Sequence, residues 1–206
     1  MSNKRIAFIS IIVGLTAAAV FICASAVYAL STQKGIAENV IRFHVLANSD
    51  TEQDQNLKLM VRDSVLNYMQ GFFTGGESVE EARNIVAENL PAIKETAQKT
   101  VIEAGYTYPV NVTLSREFYP TRDYEAASFP AGYYESVRVM IGEATGKNWW
   151  CVMFPPLCFL GEGDVVSLKN ALTEEEYNLV TNKNSPTYAV KFKIVEIWEK
   201  LARRFS

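Results

Sequence analysis

FPAGYYESVRVMIGEATGKNWWCVMFPPLCFL, residues 129–160, carries the strongest strand signals of the chain. Apolar and polar residues alternate over 133–141, which is typical of a strand with one buried face. Glycines bound a turn at 142–146, and a nearly continuous apolar strand follows at 149–154. Two prolines end that strand, because proline has no backbone N–H to donate to a neighbouring strand. The stretch therefore predicts a β-hairpin, around which we expect the domain to be built.

Helices and two further strands are predicted around this hairpin. Alternating patterns indicate strands at 40–47, with Arg42 and His44 on its more polar side, and at 109–118. Helices are expected after the capping boxes Ser49–Glu52 and Ser78–Glu81, after the cap Thr173 and at 188–205; the second is expected to kink at Pro91 or to restart there. Such helices against a set of strands indicate an α+β domain, a mostly antiparallel sheet with helices packed on one face.

The N-terminus predicts export. Lys4 and Arg5 precede an uncharged apolar run at 6–30, which is the pattern of a signal peptide or an N-terminal membrane anchor. The run is long enough to span a bilayer, yet 24–26 and 27–29 both show the small-x-small pattern of a signal peptidase site. Both readings stay open. We divide the chain into this segment (1–30), a linker (31–37) and a single exported domain (38–206) that ends in an amphipathic helix.

Charge and motifs exclude several classes of function. The formal net charge of the 206 residues is −3, which gives no electrostatic case for nucleic acid. The chain has no phosphate-binding glycine loop, no CxxC or HExxH motif and a single histidine, so we expect no cofactor and no metal site. Ile22 is too bulky for Cys23 to be a lipid-attachment site, and a buried apolar cysteine is the expectation there.

Cys151 and Cys158 are the two cysteines of the exported part. In an oxidising compartment they can form a disulfide, since the paired prolines between them bend the chain back; the alternative is two buried thiols. We predict the disulfide. A nucleophilic pair of His44 with either cysteine would instead make the protein a thiol peptidase or another cell-wall hydrolase, and nothing local supports that pair.

Two long blocks of the sequence are chemically unusual. The first is IRFHVLANSD (41–50) running into DQNLKLMVRD (54–63), and the second runs from FPAG (129–132) through NWWC (148–151) to FPPLCF (154–159). Both blocks resemble the stage II sporulation protein R family. The resemblance covers most of the exported domain. The turn departs from the family at Ala144-Thr145, where a more glycine-rich or basic stretch is expected.

The resemblance implies a signalling protein and not an enzyme, so no catalytic residues are expected. Such proteins leave the forespore, enter the space between the forespore and mother-cell membranes, and activate a membrane-embedded aspartic protease of the mother cell, which then processes the sigma factor E precursor. The protein would be secreted, or tethered if 6–30 is not cleaved. Membrane contact is expected through 6–30 and the C-terminal helix, although docking of that helix on the core is favoured.

Exposed aromatic side chains suit a surface that a partner protein recognises, because tryptophan and tyrosine are enriched at binding hot spots. Our candidate partner-binding residues are Trp149, Trp150, Tyr133 and Tyr134 of the hairpin and Arg42, His44, Asn48 and Asp50 at the first strand–helix junction. The alternative for each is core packing. Adjacent tryptophans on a strand point to opposite faces, so at least one of the pair is expected in the core.

Overall fold

The computed structural model describes residues 3–73, 76–125, 127–158, 165–182 and 192–198, together with Lys200 and Arg204. The helices are α1 (Asn3–Glu38), α2 (Glu52–Met69), α3 (Val79–Glu103), α4 (Val165–Ala171) and α5 (Glu174–Thr181), with a 3-10 turn at Gln70–Phe72. The strands are β1 (Ile41–Leu46), β2 (Val110–Tyr119), β3 (Arg122–Asp123), β4 (Ser128–Phe129), β5 (Gly132–Ile141) and β6 (Asn148–Phe154).

The main sheet has the strand order β2-β5-β1-β6, and β3 with β4 forms a separate small ribbon. β1 runs parallel to β5 and antiparallel to β6, and β2 runs antiparallel to β5. The predicted hairpin is therefore wrong, because β5 and β6 do not pair and β1 lies between them. The connection between β5 and β6 passes over the end of β1, where the Gly146 N–H donates to the Ala47 carbonyl oxygen (3.0 Å).

The α+β class is confirmed, and two of the three pairings in the main sheet are antiparallel. α2 and α3 cover one face, where their apolar stripes meet alternate residues of the strands. Phe43, Val61 and Val139 are central members of this core. This face carries the two helices predicted after Ser49 and after Ser78.

The second face also receives helical residues. Ile36 and Ala37 from the end of α1, Leu168 and Leu172 from α4 and its C-terminal end, and Leu179 and Val180 from α5 pack with the strand residues Tyr119, Phe129, Tyr134 and Val152. The sheet is thus covered on both faces, which explains why β1 is buried along almost its whole length.

Helix starts follow the capping predictions in two cases of three. Ser78 and Thr173 cap α3 and α5 through complete capping boxes. The Ser49–Glu52 capping box is wrong, because Thr51 is the N-cap of α2 and the Ser49 hydroxyl instead donates to Asp54. α3 passes through Pro91 as one helix, so no second helix starts there.

α1 is one continuous helix that includes residues 31–37. Its segment Arg5–Glu38 is long and apolar enough to cross a membrane, with a mean hydropathy of 2.7 over its most apolar 18 residues, and a signal sequence has the same properties. Cys23 in this segment is an exposed free thiol and not a buried one. The predicted C-terminal helix is helical at 192–198, 200 and 204, and its other residues lie outside the described part of the chain.

Candidate functional site

The predicted junction residues Asn48 and Asp50 hold the β5–β6 connection in place. The Asn48 side-chain oxygen accepts from the Glu143 backbone N–H (3.0 Å), and the Asp50 carboxylate accepts from the Lys147 backbone N–H (2.6 Å). The backbone oxygen of Asn48 also accepts from the Thr145 hydroxyl (2.9 Å). Both side chains therefore fix the path of a turn, and this role explains their residue types without a partner.

Asp54, which the sequence reasoning missed, is the buried centre of this junction. It accepts from the Asn48 amide (2.8 Å) and the Ser49 hydroxyl (2.5 Å). Burial alone would raise the pKa of Asp54, but these hydrogen bonds stabilise the carboxylate and lower the pKa overall. The signal in the sequence was the helix-start pattern Asn48-Ser49-Asp50 followed by an acidic residue, Asp54, at the third position of α2. There the Asp54 carboxylate can accept hydrogen bonds from side chains that precede the helix.

Trp149 and Trp150 lie on the edge strand β6 and point to opposite faces, as predicted. Trp149 makes an edge-to-face contact with Phe43 (ring centroids 5.8 Å apart), and the Arg62 guanidinium lies over its ring. Trp150 lies on the second face and stacks on His44, with ring centroids 4.0 Å apart. Each indole is only partly buried, so each combines core packing with an accessible ring.

His44 is a buried residue, 3% exposed, and not a surface contact. Its Nδ1 lies 3.0 Å from Glu117 Oε1, and Glu117 is also 2.9 Å from the Arg138 guanidinium. Burial would raise the pKa of Glu117, but the hydrogen bond from His44 and the charge of Arg138 outweigh it and lower the pKa. Glu117 lies on the polar face predicted for its strand, so the alternation pattern contained the signal for this partner.

Arg42 is completely buried on the same face. Its guanidinium carbon lies over the rings of Tyr119 (4.3 Å), Tyr134 (5.1 Å), Phe129 (5.3 Å) and Tyr124 (5.4 Å), which we call the aromatic cage. It donates to the Cys151 carbonyl oxygen (3.2 Å) and the Tyr124 hydroxyl (2.6 Å). Arg42 and the fully buried Tyr134 are therefore interior residues, and sequence reasoning missed the cage because its members come from three strands and a loop.

Tyr133 is the exposed member of the tyrosine pair. It makes an edge-to-face contact with Phe118 and lines a cleft of about 210 Å³ with Arg83, Arg116 and the end of α1. This cleft lies away from the junction, since it is built by the opposite end of β5. The structure therefore does not bring the eight predicted contact residues to one surface.

Cys151 and Cys158 form a disulfide, with their Cα atoms 5.9 Å apart, as predicted. Cys151 packs in the core beneath α2 and α3, whereas His44 lies on the second face. Both sulfurs are used by the bridge, so neither cysteine can serve as the nucleophile of a His44-dependent reaction in this state. Among the described residues, no group of three or more His, Cys, Asp or Glu side chains is placed to hold a metal ion.

Comparison with known proteins is consistent with the resemblance seen in the sequence. The family model described as stage II sporulation protein R matches residues 37–164. Stage II sporulation protein R of Bacillus subtilis (strain 168) is 37% identical over 148 residues, which are 72% of this chain and 66% of that protein. The alignment thus spans just under two thirds of the relative.

No solved structure matches the chain significantly. The family match begins in the last turn of α1 and continues through β6 and the disulfide, so it includes the whole main sheet and both helices of its first face. The apolar α1 and the disulfide both fit a protein that is exported. On this evidence the chain belongs to the stage II sporulation protein R family.

Proposed function

We propose that this protein is a secreted intercompartmental signal of endospore formation. In this proposal it is exported from the forespore into the space between the forespore and mother-cell membranes, where it activates a membrane-embedded aspartic protease of the mother cell. That protease then processes the sigma factor E precursor. The observation that carries the proposal is the family match over residues 37–164, which spans the main sheet.

Activation of this kind is a shift between two states of the protease. A binding partner can shift such an equilibrium only by as much as its affinities for the two states differ. The protein therefore has to bind the active state more tightly than the resting one, through a surface that is preformed. The hydrogen-bonded junction and the disulfide support such a rigid surface.

The partly exposed rings of Trp149 and Trp150 are the best candidates for direct contact among the predicted residues. They lie on an edge strand, and indole rings are enriched at binding hot spots. Tyr133 is accessible at a different place. Arg42, His44 and Tyr134 are buried, so in this proposal they act by positioning the strand that carries the tryptophans.

Reconstitution tests this function most directly. The full chain is placed on one side of a membrane that contains the candidate protease, and the sigma factor precursor is supplied on the other side. We expect shortening of the precursor only when this protein is present, and none when a catalytic aspartate of the protease is replaced. Equal cleavage with and without the protein would overturn the proposal.

The competing function, a thiol peptidase or cell-wall hydrolase, is not favoured by any contact of His44. Its Nδ1 is held by Glu117, its ring is covered by Trp150, and Cys151, which pairs with Phe43, is in a disulfide on the other face. Since a buried histidine without an adjacent nucleophile cannot start acyl transfer, the signalling function is the better supported of the two.

A further inference from the structure

The last turns of α1 pack on the domain, whereas the preceding turns do not. Ile36 and Gln33 are buried, and Ala29 is the first buried residue of the helix. From Ile6 to Tyr28 the large apolar side chains are exposed. Apolar side chains exposed in this number need an apolar environment, which a bilayer provides. The boundary between protein-covered and uncovered helix therefore falls next to Tyr28.

A second helix also passes from residues buried in the domain to exposed apolar residues. In the segment 192–198, Phe192 belongs to the core of the second face and Val195 is also buried. Residues three apart lie on one stripe of a helix, so Trp198 continues this stripe. Trp198 is nevertheless 52% exposed, and its neighbour Ile197 is 53% exposed. The apolar stripe thus runs out of the core and into the surroundings of the protein.

A chain of contacts links the two helices through the loop after β2 and the start of β5. Glu196 accepts from the Thr121 hydroxyl (2.8 Å), and that hydroxyl oxygen accepts from the Ala131 backbone N–H (3.2 Å). The adjacent Gly132 touches the side chain of Gln33, which would lie 2.0 Å from a Cβ added there. Along a helix, Gln33 is only about 7.5 Å from Tyr28, at 1.5 Å per residue. The two helices therefore pack on the same face of the sheet, where Phe192 shares a core with Ile36 of α1.

We propose that, in the chain that keeps α1, Ile197 and Trp198 together with Tyr28 form an interfacial anchor that seats this end of the domain on a lipid bilayer. Tryptophan and tyrosine are enriched where the hydrocarbon region meets the headgroups, because their rings are apolar and carry one polar group. The side chains of Lys200 and Arg204 are exposed on the same C-terminal segment and suit the phosphate of the headgroups. This proposal does not depend on the identity of any protein partner.

The depth of labelled cysteines in vesicles tests the anchor. The full chain carries Cys23→Ser, and Cys151 and Cys158 are bridged, so a fluorophore attaches only to an added cysteine. One variant is Ile197→Cys. The matched control is Ile102→Cys, which replaces an isoleucine of similar exposure, 61%, on α3 at the opposite face of the sheet. The vesicles contain phosphatidylcholine and phosphatidylglycerol, with and without spin-labelled lipid.

We expect spin-labelled lipid to quench the label at 197 several-fold more than the label at 102. Because α1 holds both variants near the same bilayer, a difference between them reports the seating of the domain and not mere attachment. Equal quenching would overturn the proposal. A blue shift at 197 that is already complete without vesicles would also overturn it, since a second copy of the chain would then cover this surface. If Ile197→Cys does not fold, Trp198→Cys provides the same measurement.

Discussion

Arg42 carries a positive charge in β1, a strand that is buried along almost its whole length. Its charge is offset by ring faces and by two hydrogen bonds, because the aromatic cage surrounds the guanidinium on several sides. The planar guanidinium can stack on rings and donate in several directions at once, which an ammonium cannot do. The aromatic cage therefore requires arginine at position 42, and the sequence around this position does not show that requirement.

Replacement of Arg42 by lysine tests this cage. We expect Arg42→Lys to lower the free energy of unfolding by about 2–4 kcal/mol, because the ammonium stays buried without the stacking and the forked donors. Arg42→Met is the comparison, and it should cost less since it fills volume without burying a charge. Urea denaturation followed by near-UV circular dichroism measures both. A lysine variant as stable as the original protein would contradict the cage.

Glu117 makes the free energy of unfolding depend on pH in the acidic range. Its pKa in the folded protein is lowered from an ordinary value of 4.5. A group with a lowered folded pKa contributes stability that is present above its unfolded pKa and is lost as the pH falls through the folded value. We therefore expect stability to fall as the pH drops below 4.5, and Glu117→Gln to remove part of that dependence.

The free energy of unfolding measured along a pH series checks this expectation. Glu143→Gln is the matched control, because Glu143 is exposed in the β5–β6 connection. The control should keep the full pH dependence. If the two glutamine variants follow the same pH curve, the His44–Glu117–Arg138 contacts do not have the assigned effect.

At the scale of elements, the connection between β5 and β6 is as important as the strands. It packs against the junction so closely that a Cβ at Gly146 would lie 2.2 Å from the Ser49 backbone oxygen. Backbone cannot move aside as a flexible side chain can. The glycine is therefore required by close approach, and this approach exists only because β1 enters between the two strands that the turn connects.

Substitution of this glycine should be costly. We expect Gly146→Ala to lower the free energy of unfolding by about 2–3 kcal/mol through the overpacking it causes. Gly71→Ala is the control, since a Cβ at Gly71 meets nothing within 4 Å. Thermal unfolding of the two variants measures the difference. Equal midpoints would show that the connection can shift without loss.

The disulfide ties Cys151, in the middle of β6, to Cys158 in the chain that follows the strand. Of the three cysteines in the sequence, only Cys23 is free. Denatured, unreduced protein should therefore titrate one thiol, and reduced, denatured protein three. We expect Cys158→Ser to lower stability by about 2–3 kcal/mol through the lost constraint on the unfolded chain. Equal thiol counts in the two samples would exclude the bridge.

At the scale of the whole molecule, the two tryptophans of the edge strand have different surroundings. Trp150 contacts the rings of His44 and Tyr119 and lies under the Arg122 guanidinium, whereas Trp149 contacts the Phe43 ring and Arg62. The sheet itself therefore relies more on Trp150. Trp149 is the better candidate for contact with a protein partner.

Alanine variants separate these roles. We expect Trp150→Ala to lower the free energy of unfolding by about 2–3 kcal/mol, and Trp149→Ala to lower it less while abolishing cleavage of the sigma factor precursor in the reconstituted system. Denaturation measures the first effect and the cleavage assay the second. If both variants merely unfold, the assignment of Trp149 as a contact residue fails.

The prediction of the fold from sequence succeeded where the signal was local. The strand at 40–47, the caps Ser78 and Thr173, the opposite faces of Trp149 and Trp150 and the bridge of Cys151 to Cys158 follow from side-chain period, from short hydrogen bonds and from sequence separation. The site was predicted less well, since Arg42, His44 and Tyr134 are buried and Glu117 and Asp54 were missed.

By itself, the sequence determined the α+β class, the apolar N-terminal segment and the disulfide, because each depends on residues close together in the chain. Only the tertiary structure decided that β1 lies between β5 and β6, so that the stretch 129–160 is not a hairpin. Strand order depends on which strands pair with each other, and these strands can be far apart in the sequence. Alternation of apolar and polar residues specifies the two faces of a strand but not its neighbours. The contact of Arg42 with the aromatic cage and the His44–Glu117 contact follow from that order, because each needs β1 to lie beside β5.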